Sequence, residues 1–142
     1  MYKKRRTLIY AIALMVLFLT LFTSSMGGME PEFSVQAETS YRPYTKGYLN
    51  VTVNNRWFTR DLEVQGIEVR FYQLRANYNI ISELPVTLKA GNTFNITIEL
   101  EITEYKQGDF SFDIIINHTQ TRFFSFGSDN LQKTLSSILK VV

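Results

Sequence analysis

The residues with the clearest potential for chemistry are three asparagines, each in an Asn-x-Thr acceptor sequence for N-linked glycosylation. Apolar and polar residues alternate around each of them, and each asparagine falls on the polar side of that alternation. A glycan requires an exposed attachment point, so the two patterns agree. The alternative is that these asparagines are ordinary polar positions on strand faces. The candidate sites are Asn50, Asn95 and Asn117.

Catalysis has few candidate residues in this sequence. There is one histidine, His118, and no cysteine, which excludes disulfides, thiolate zinc sites and thiol catalysis. A lone histidine cannot form a histidine-based metal cluster, and no serine and aspartate partners for a triad can be placed beside it. Its position inside the third acceptor sequence favours a solvated side chain. We therefore expect no catalytic residue, no metal and no cofactor.

An acidic set, Glu99, Glu101 and Glu104, partly lines one predicted strand face. Calcium needs several oxygens that converge on one point. Side chains two apart on a strand are separated by roughly 6.6 Å, which is far for two of them to share an ion. The pattern therefore predicts a solvated face whose carboxylates pair with lysine or arginine.

A second candidate surface is the segment "NNRWFTRD", which holds the only tryptophan. Trp57 and Phe58 lie between Arg56 and Arg60 in a predicted loop. Such a cluster is typical of an exposed anchor for protein or glycan binding. It is equally typical of a loop that folds back to close the end of a sandwich.

The elements that position these residues are strands, because apolar residues recur with a period of two from residue 33 onward. The stretch "FSVQAET" also resembles a signal-peptidase site, but it lies too far beyond the apolar N-terminal run, so we predict a strand there. About seven strands are expected, and an antiparallel two-sheet sandwich is their usual arrangement. The predicted inward residues include Leu49, Val51, Val53, Phe94, Ile96, Ile98, Leu100, Ile102, Phe110, Phe112, Ile114, Ile116, Phe124 and Phe126.

Two local features refine the strand prediction. The apolar positions of "LEVQGIEVRFYQL" change from even to odd numbers at Gly66, which predicts a β-bulge. In "LPVTL" the alternation includes Pro85, which has no backbone N–H to donate to a second neighbour. That segment is therefore predicted to be an edge strand.

The C-terminal segment 128–142 has a different spacing. Its apolar residues fall at i, i+4, i+7, i+8 and i+11, which predicts a short amphipathic helix. Ser128 or Asp129 would cap its start. The helix would either pack on its own domain or dock on a partner or membrane. The candidate interaction residues are Leu131, Leu135, Ile138 and Leu139.

The N-terminal segment combines four basic residues, Lys3, Lys4, Arg5 and Arg6, with an apolar run from Leu8 to Phe22. With its flanking residues this run is long enough to cross a bilayer, and the basic cluster would stay in the cytoplasm. The alternative is a signal cleaved near residues 25–28. The predicted organisation is a cytoplasmic tip (1–6), a transmembrane anchor or signal helix (7–26), a linker (27–32), an extracellular sandwich (33–127) and the C-terminal helix (128–142).

Composition limits the partners. Of the chain's 142 residues, 45% are hydrophobic and 14% aromatic, which suffices for a core. Outside the four N-terminal basic residues, eleven basic residues face thirteen acidic ones, so no basic field for nucleic acid exists.

The order of the strand-like segments "FSVQAE", "KGYLNVTVNN", "LEVQGIEVRF", "LPVTLKAGNTFNITIELEI" and "GDFSFDIII" resembles the immunoglobulin-like sandwich domains of prokaryotic, especially archaeal, cell-surface proteins. The shared feature is a Leu-x-Ala-Gly-x-Thr approach to a long strand, here Leu88 to Thr93. The resemblance covers about residues 33–126 and implies adhesion, assembly or scaffolding, with no catalytic residues.

The expected function is therefore that of a non-enzymatic, membrane-anchored, outward-facing glycoprotein that binds or scaffolds other cell-envelope proteins. Its partners would be the lipid bilayer, through residues 7–26, and an S-layer, an archaellum or pilus base, or an integral membrane complex. The alternative is a secreted or processed, pilin-like filament subunit, although the Thr7-Leu8 pair after the basic cluster is unlike a prepilin processing site.

Overall fold

The computed structural model describes the backbone of residues 2–27, 30–56, 60–121 and 128–142. The chain divides into two units, residues 1–30 and 31–142, which are described separately. The first unit contains one helix, α1 (Tyr2–Gly27). Among the residues whose side chains are described, no helix has both the length and the apolar character needed to cross a membrane.

Eight strands form the described part of the second unit. They are β1 (Glu32–Ala37), β2 (Lys46–Asn54), β3 (Leu62–Phe71), β4 (Ala76–Ile80), β5 (Val86–Leu88), β6 (Thr93–Ile102), β7 (Gly108–Thr121) and β8 (Ser128–Val141). The prediction of a strand in the "FSVQAET" segment is confirmed by β1. The predicted strand residues Phe124 and Phe126 lie outside the described residues.

The strands form two four-stranded sheets. Sheet A has the order β1-β2-β6-β4 and sheet B the order β5-β3-β7-β8, and every pairing within them is antiparallel. Strands one, two, six and four correspond to A-B-E-D of an immunoglobulin domain, and strands three, seven and eight to C-F-G. The expectation of an antiparallel, immunoglobulin-like two-sheet sandwich is confirmed.

The core lies between the inner faces of the two sheets, where the period-two pattern placed it. In sheet A, Leu49, Val51 and Val53 are completely buried, and Leu49 pairs in register with Ile98. In sheet B, Phe112 and Ile114 are completely buried in the same way. Each such side chain contributes roughly 1.5–3 kcal/mol by leaving water, so these two faces dominate the stability of the domain.

Both predicted refinements of the strand pattern are confirmed. The register of β3 against β7 shifts between Val64, which pairs with His118, and Gly66, which pairs with Asn117. The extra residue, Gln65, is the bulge, and it allows apolar residues on both sides of it to face the core. The strand that follows Pro85, β5, pairs only with β3 within the described structure and is an edge strand.

The predicted C-terminal helix is wrong. Residues 128–141 form β8, which pairs with β7 along its entire length, from Thr121–Ser128 to Gly108–Val141. The sandwich therefore extends to the end of the chain rather than to residue 127. Leu131, Leu135 and Leu139 are four residues apart, and this spacing places side chains on one face of a strand as well as on one face of a helix.

A single tyrosine joins the two sheets near the C-terminus. The backbone N–H of Tyr41 donates to the carbonyl of Lys140 (2.8 Å), and the N–H of Val142 donates to the carbonyl of Tyr41 (2.9 Å). The chain thus leaves sheet A after β1 and forms a parallel bridge with the end of β8. The Tyr41 hydroxyl donates to the carbonyl of Tyr48 and accepts from the N–H of Glu38, so hydrogen bonds hold this buried residue at its backbone and at its hydroxyl.

Candidate functional site

The three candidate glycosylation asparagines are all exposed. Asn50 and Asn95 lie on the outer face of sheet A, on the neighbouring strands β2 and β6. Asn117 lies on the outer face of sheet B, in β7. The outward orientation of these asparagines, which the alternation of apolar and polar residues predicted, is confirmed.

The expectation of a solvated His118 is wrong. The side chain lies on the inner face of β7 with only 5% of its surface exposed, and its ring centroid is 4.9 Å from that of Phe33. The ring nitrogen Nδ1 is 3.3 Å from the carbonyl oxygen of Ile116. Burial lowers the pKa of His118, because the charged imidazolium loses its hydration; the contact with Ile116 opposes this effect. The residue contributes to packing.

The acidic residues are separated by the fold. The carboxylate of Glu99 forms an ion pair with Lys46 (3.2 Å), whereas Glu104 accepts a hydrogen bond from the backbone N–H of Arg75 (2.8 Å). Within the described residues, no group of three or more histidine, cysteine, aspartate or glutamate side chains is arranged to hold a metal ion. The charge pairing expected from the sequence is observed at Glu99.

The tryptophan segment is described only in part. Trp57 and Phe58 lie outside the described residues. Arg56 is exposed and its guanidinium lies 3.7 Å from the carboxylate of Glu32. The carbonyl of Arg60 accepts a hydrogen bond from the side chain of Asn55, which is completely buried and also donates to the carbonyl of Leu88. Asn55 therefore fixes both ends of this loop to the sandwich.

The four C-terminal interaction candidates do not form a common surface. Leu139 is completely buried and Leu135 packs against the core. Leu131 faces the same side but is 42% exposed, because it lies near the end of the sandwich. Ile138 lies on the opposite, outer face and is 60% exposed. No helical docking stripe therefore exists in this described segment.

The structure brings together a surface that the sequence did not reveal. Three loops meet at the end of the sandwich opposite the entry of the chain at Pro31. We call it the loop surface, and it comprises Tyr44, Gln73, Leu74, Arg75, Glu104, Tyr105 and Lys106. Tyr44 is 60% exposed and Tyr105 is 82% exposed. A cleft of about 370 Å³ lies between the loops and is lined by Gln73, Leu74, Arg75, Glu104 and Lys106.

Backbone hydrogen bonds fix the loops to one another. The N–H of Tyr44 donates to the carbonyl of Ile102 (2.8 Å), and the N–H of Thr103 donates to the carbonyl of Arg75 (3.0 Å). The ammonium of Lys106 donates to the carbonyl of Gln73. The same ammonium lies 5.2 Å from the ring centroid of Phe110, within range of a cation–π interaction. The loop surface is therefore preorganised.

Two non-glycine residues of this region have left-handed backbone conformations. The φ angle is +58° at Tyr44 and at Gln73. This conformation is unfavourable for residues with a β-carbon, and it is typically retained where surrounding contacts enforce it, often at functional sites. Tyrosine and arginine are, with tryptophan, enriched among the residues that dominate binding energy at protein interfaces. The loop surface thus contains residue types that are frequent at protein interfaces.

A hydrogen-bonded network lies beside this region on the outer face of sheet B. Asp113 accepts from the hydroxyls of Ser136 (2.6 Å) and Tyr72 (2.8 Å). These bonds lower the pKa of the Asp113 carboxyl and raise the pKa of the Tyr72 phenol, because each favours the form already present at neutral pH. Each oxygen of Asp113 accepts one of these bonds, so the network connects β7 and β8 to the residue that follows β3.

Comparison with known proteins shows similarity of shape alone. No protein-family model matches the chain, and no curated protein matches it. Among solved structures, it is similar to a FixG-related protein from Vibrio parahaemolyticus (9% identity, 73% of this chain and 93% of that one, TM-score 0.39). It is also similar to the GAE domain of yeast GGA1 (8% identity, 75% and 91%, TM-score 0.44). A third similar structure is a PapD-like domain of human CEP192 (9% identity, 77% and 82%, TM-score 0.37).

Proposed function

We propose that this chain is a non-enzymatic, membrane-anchored protein whose sandwich faces outward and binds another cell-envelope protein through the loop surface. The observation that carries this proposal is the loop surface itself: exposed tyrosines beside a cleft with two cationic side chains, all on loops fixed to one another. A preorganised surface loses little conformational entropy on binding, so more of its contact energy appears as affinity.

The anchor is supported by the sequence of residues 7–26. The apolar run from Leu8 to Phe22 follows the basic cluster Lys3–Arg6, and its second half includes residues 18–22, whose side chains lie outside the described set. Helix α1 has 26 residues. At 1.5 Å per residue it is about 39 Å long, against a hydrocarbon core of about 30 Å. Basic residues on one side favour a cytoplasmic N-terminus.

The location can be tested by cysteine labelling, because the native chain has no cysteine. The variants Tyr105→Cys and Lys4→Cys are produced in the native host and treated with a membrane-impermeant maleimide. We expect Tyr105→Cys to react in intact cells and Lys4→Cys to react only after lysis. Reaction of Tyr105→Cys only after lysis would overturn the outward orientation. Loss of Lys4→Cys from the mature protein would support a cleaved signal instead.

The binding surface can be tested by photo-crosslinking. A photoreactive phenylalanine analogue replaces Tyr105 in one variant and Tyr78 in the other. Tyr78 is an exposed tyrosine of the edge strand β4 and serves as the matched control. We expect a discrete crosslinked product in native membranes at position 105 and none at position 78. Equal products at both positions, or none at position 105, would contradict the assignment of the loop surface.

A further inference from the structure

Two of the three acceptor sequences lie face to face on neighbouring strands. In the register of β2 and β6, Asn50 pairs with Thr97 and Thr52 pairs with Asn95. The Thr52 hydroxyl donates to Oδ1 of Asn95 (2.9 Å), and the Thr97 hydroxyl donates to Oδ1 of Asn50 (3.3 Å). The threonine of each sequence thus binds the asparagine of the other, although the two sequences are 45 residues apart in the chain.

The third acceptor sequence also has a cross-strand hydrogen bond to its asparagine, on the other sheet and from a glutamine. Oδ1 of Asn117 accepts a hydrogen bond from Nε2 of Gln132 on β8 (3.0 Å). In all three cases the cross-strand bond engages the oxygen of the side-chain amide. Among the contacts of the described residues, Nδ2 of Asn50, Asn95 and Asn117 makes no hydrogen bond. Nδ2 is the atom to which an N-linked glycan is attached.

The two rows of sheet A that contain Asn50 and Asn95 hold uncharged side chains on their outer face. On β1, Gln36 pairs with Asn50 and Ser34 pairs with Thr52, so amides and hydroxyls continue across the face. The ion pair between Lys46 and Glu99 lies farther along the strands. Amide and hydroxyl groups form the same hydrogen bonds with sugar hydroxyls as they do with water.

We infer that Asn50, Asn95 and Asn117 carry N-linked oligosaccharides, and that those at Asn50 and Asn95 cover the outer face of sheet A. The inference rests on the outward location proposed above, where glycosyl transfer takes place. In the reaction, Nδ2 exchanges one hydrogen for a bond to the anomeric carbon of a lipid-linked sugar phosphate. The carbon–oxygen bond of this donor breaks, the phosphate leaves with the electron pair, and the released proton goes to solvent or a base.

The test is the intact mass and glycopeptide analysis of the full chain purified from its native host. We expect sugar-sized mass increments, and the loss of one glycan in each of Asn50→Gln, Asn95→Gln and Asn117→Gln. Asn79→Gln is the matched control, because Asn79 is exposed on β4 of the same sheet but is in no acceptor sequence. Thr97→Ser should keep the glycan at Asn95, and Thr97→Ala should lose it.

The outcome separates this inference from the proposed function. A mass equal to that of the unmodified polypeptide, in a preparation whose Tyr105→Cys variant reacts in intact cells, overturns the glycan inference alone. Increments that persist in the triple glutamine variant overturn it too, since the sugar would then be attached elsewhere. Reaction of Tyr105→Cys only after lysis, together with the unmodified mass, overturns both.

Discussion

Gly47 lies directly beneath the ring of Tyr41, and a β-carbon at Gly47 would overlap that ring and lie 2.9 Å from the carboxylate of Glu38. Tyr41 is buried and its hydroxyl forms two hydrogen bonds, so the ring cannot move aside without breaking them. Burial is also the main reason that the pKa of Tyr41 is raised to about 12. The contact between the two sheets at Tyr41 therefore requires a residue without a β-carbon at position 47.

Gly47→Ala should destabilise the domain by about 1–3 kcal/mol, the usual cost of overpacking a filled site. Gly66→Ala is the matched control: a β-carbon there meets no atom within 4 Å and the backbone has no positive φ angle. Its effect should stay within about 0.5 kcal/mol. Urea unfolding followed by circular dichroism measures both, and equal losses would show that Tyr41 does not require a glycine beneath it.

Leu139→Ala and Ile138→Ala should differ strongly. Leu139 is completely buried, so its truncation should cost about 2–5 kcal/mol, whereas that of the exposed Ile138 should change stability by less than about 0.5 kcal/mol. Urea midpoints of the two variants provide the comparison. A helix would place both residues on one stripe, so similar losses would argue against the strand β8.

Asn55→Ala should cost about 2–5 kcal/mol. It removes the hydrogen bonds that the side chain donates to the carbonyls of Arg60 (2.8 Å) and Leu88 (3.1 Å), and an unsatisfied buried acceptor costs about 1–3 kcal/mol. Asn79→Ala, at an exposed position, is the control. The measurement is the free energy of unfolding, and a loss no larger than the control's would mean that water replaces the buried amide.

Stability should decrease as the pH falls through about 6.5, the ordinary pKa of histidine in an unfolded chain. Burial lowers the pKa of His118 in the folded state, so below this pH the unfolded chain binds a proton that the folded chain does not. The loss is at most about 1.4 kcal/mol per pH unit while the folded imidazole stays neutral.

The control is His118→Gln, which should make the free energy of unfolding less dependent on pH between about 5.5 and 7.5, a window above the ordinary carboxyl pKa values. His118 is paired with Leu131 on β8. The charged residues Asp129 and Lys133 are two positions before and after Leu131 on the same strand. An unchanged pH profile in the glutamine variant would assign the effect to another group.

The sequence was most informative where one face of a strand is apolar and the other is polar. For β2, β3 and β6 the alternation predicted the inward residues and the bulge at Gly66, because burial on a pleated strand has a period of two. The outward orientation of Asn50, Asn95 and Asn117 followed from the same rule. These features depend on neighbours along the chain and not on the arrangement of the two sheets.

Other elements could not be found from local patterns. Strand β4 reads "ANYNI", and its two asparagines, which are unfavourable in strands, conceal it. Residues four apart share a face in a strand and nearly do so in a helix, so Leu131, Leu135 and Leu139 are compatible with both structures. Ile138 is seven residues after Leu131, a spacing that fits a helix and not one face of a strand, and it therefore favoured the helix prediction. The loop surface arises only when three loops from distant parts of the sequence meet at one end of the sandwich.

The parallel bridge between Tyr41 and Val141 joins residues about a hundred positions apart, and it uses β8, which follows the other described strands in the sequence. Contacts this distant in sequence are slow to form, and this one cannot form before β8 has been synthesised. Sheet B thus acquires its outermost strand last. Until then the acceptor asparagines belong to a nascent chain in which β7 lacks its outer neighbour, so the order of synthesis provides a time window for the modification inferred above.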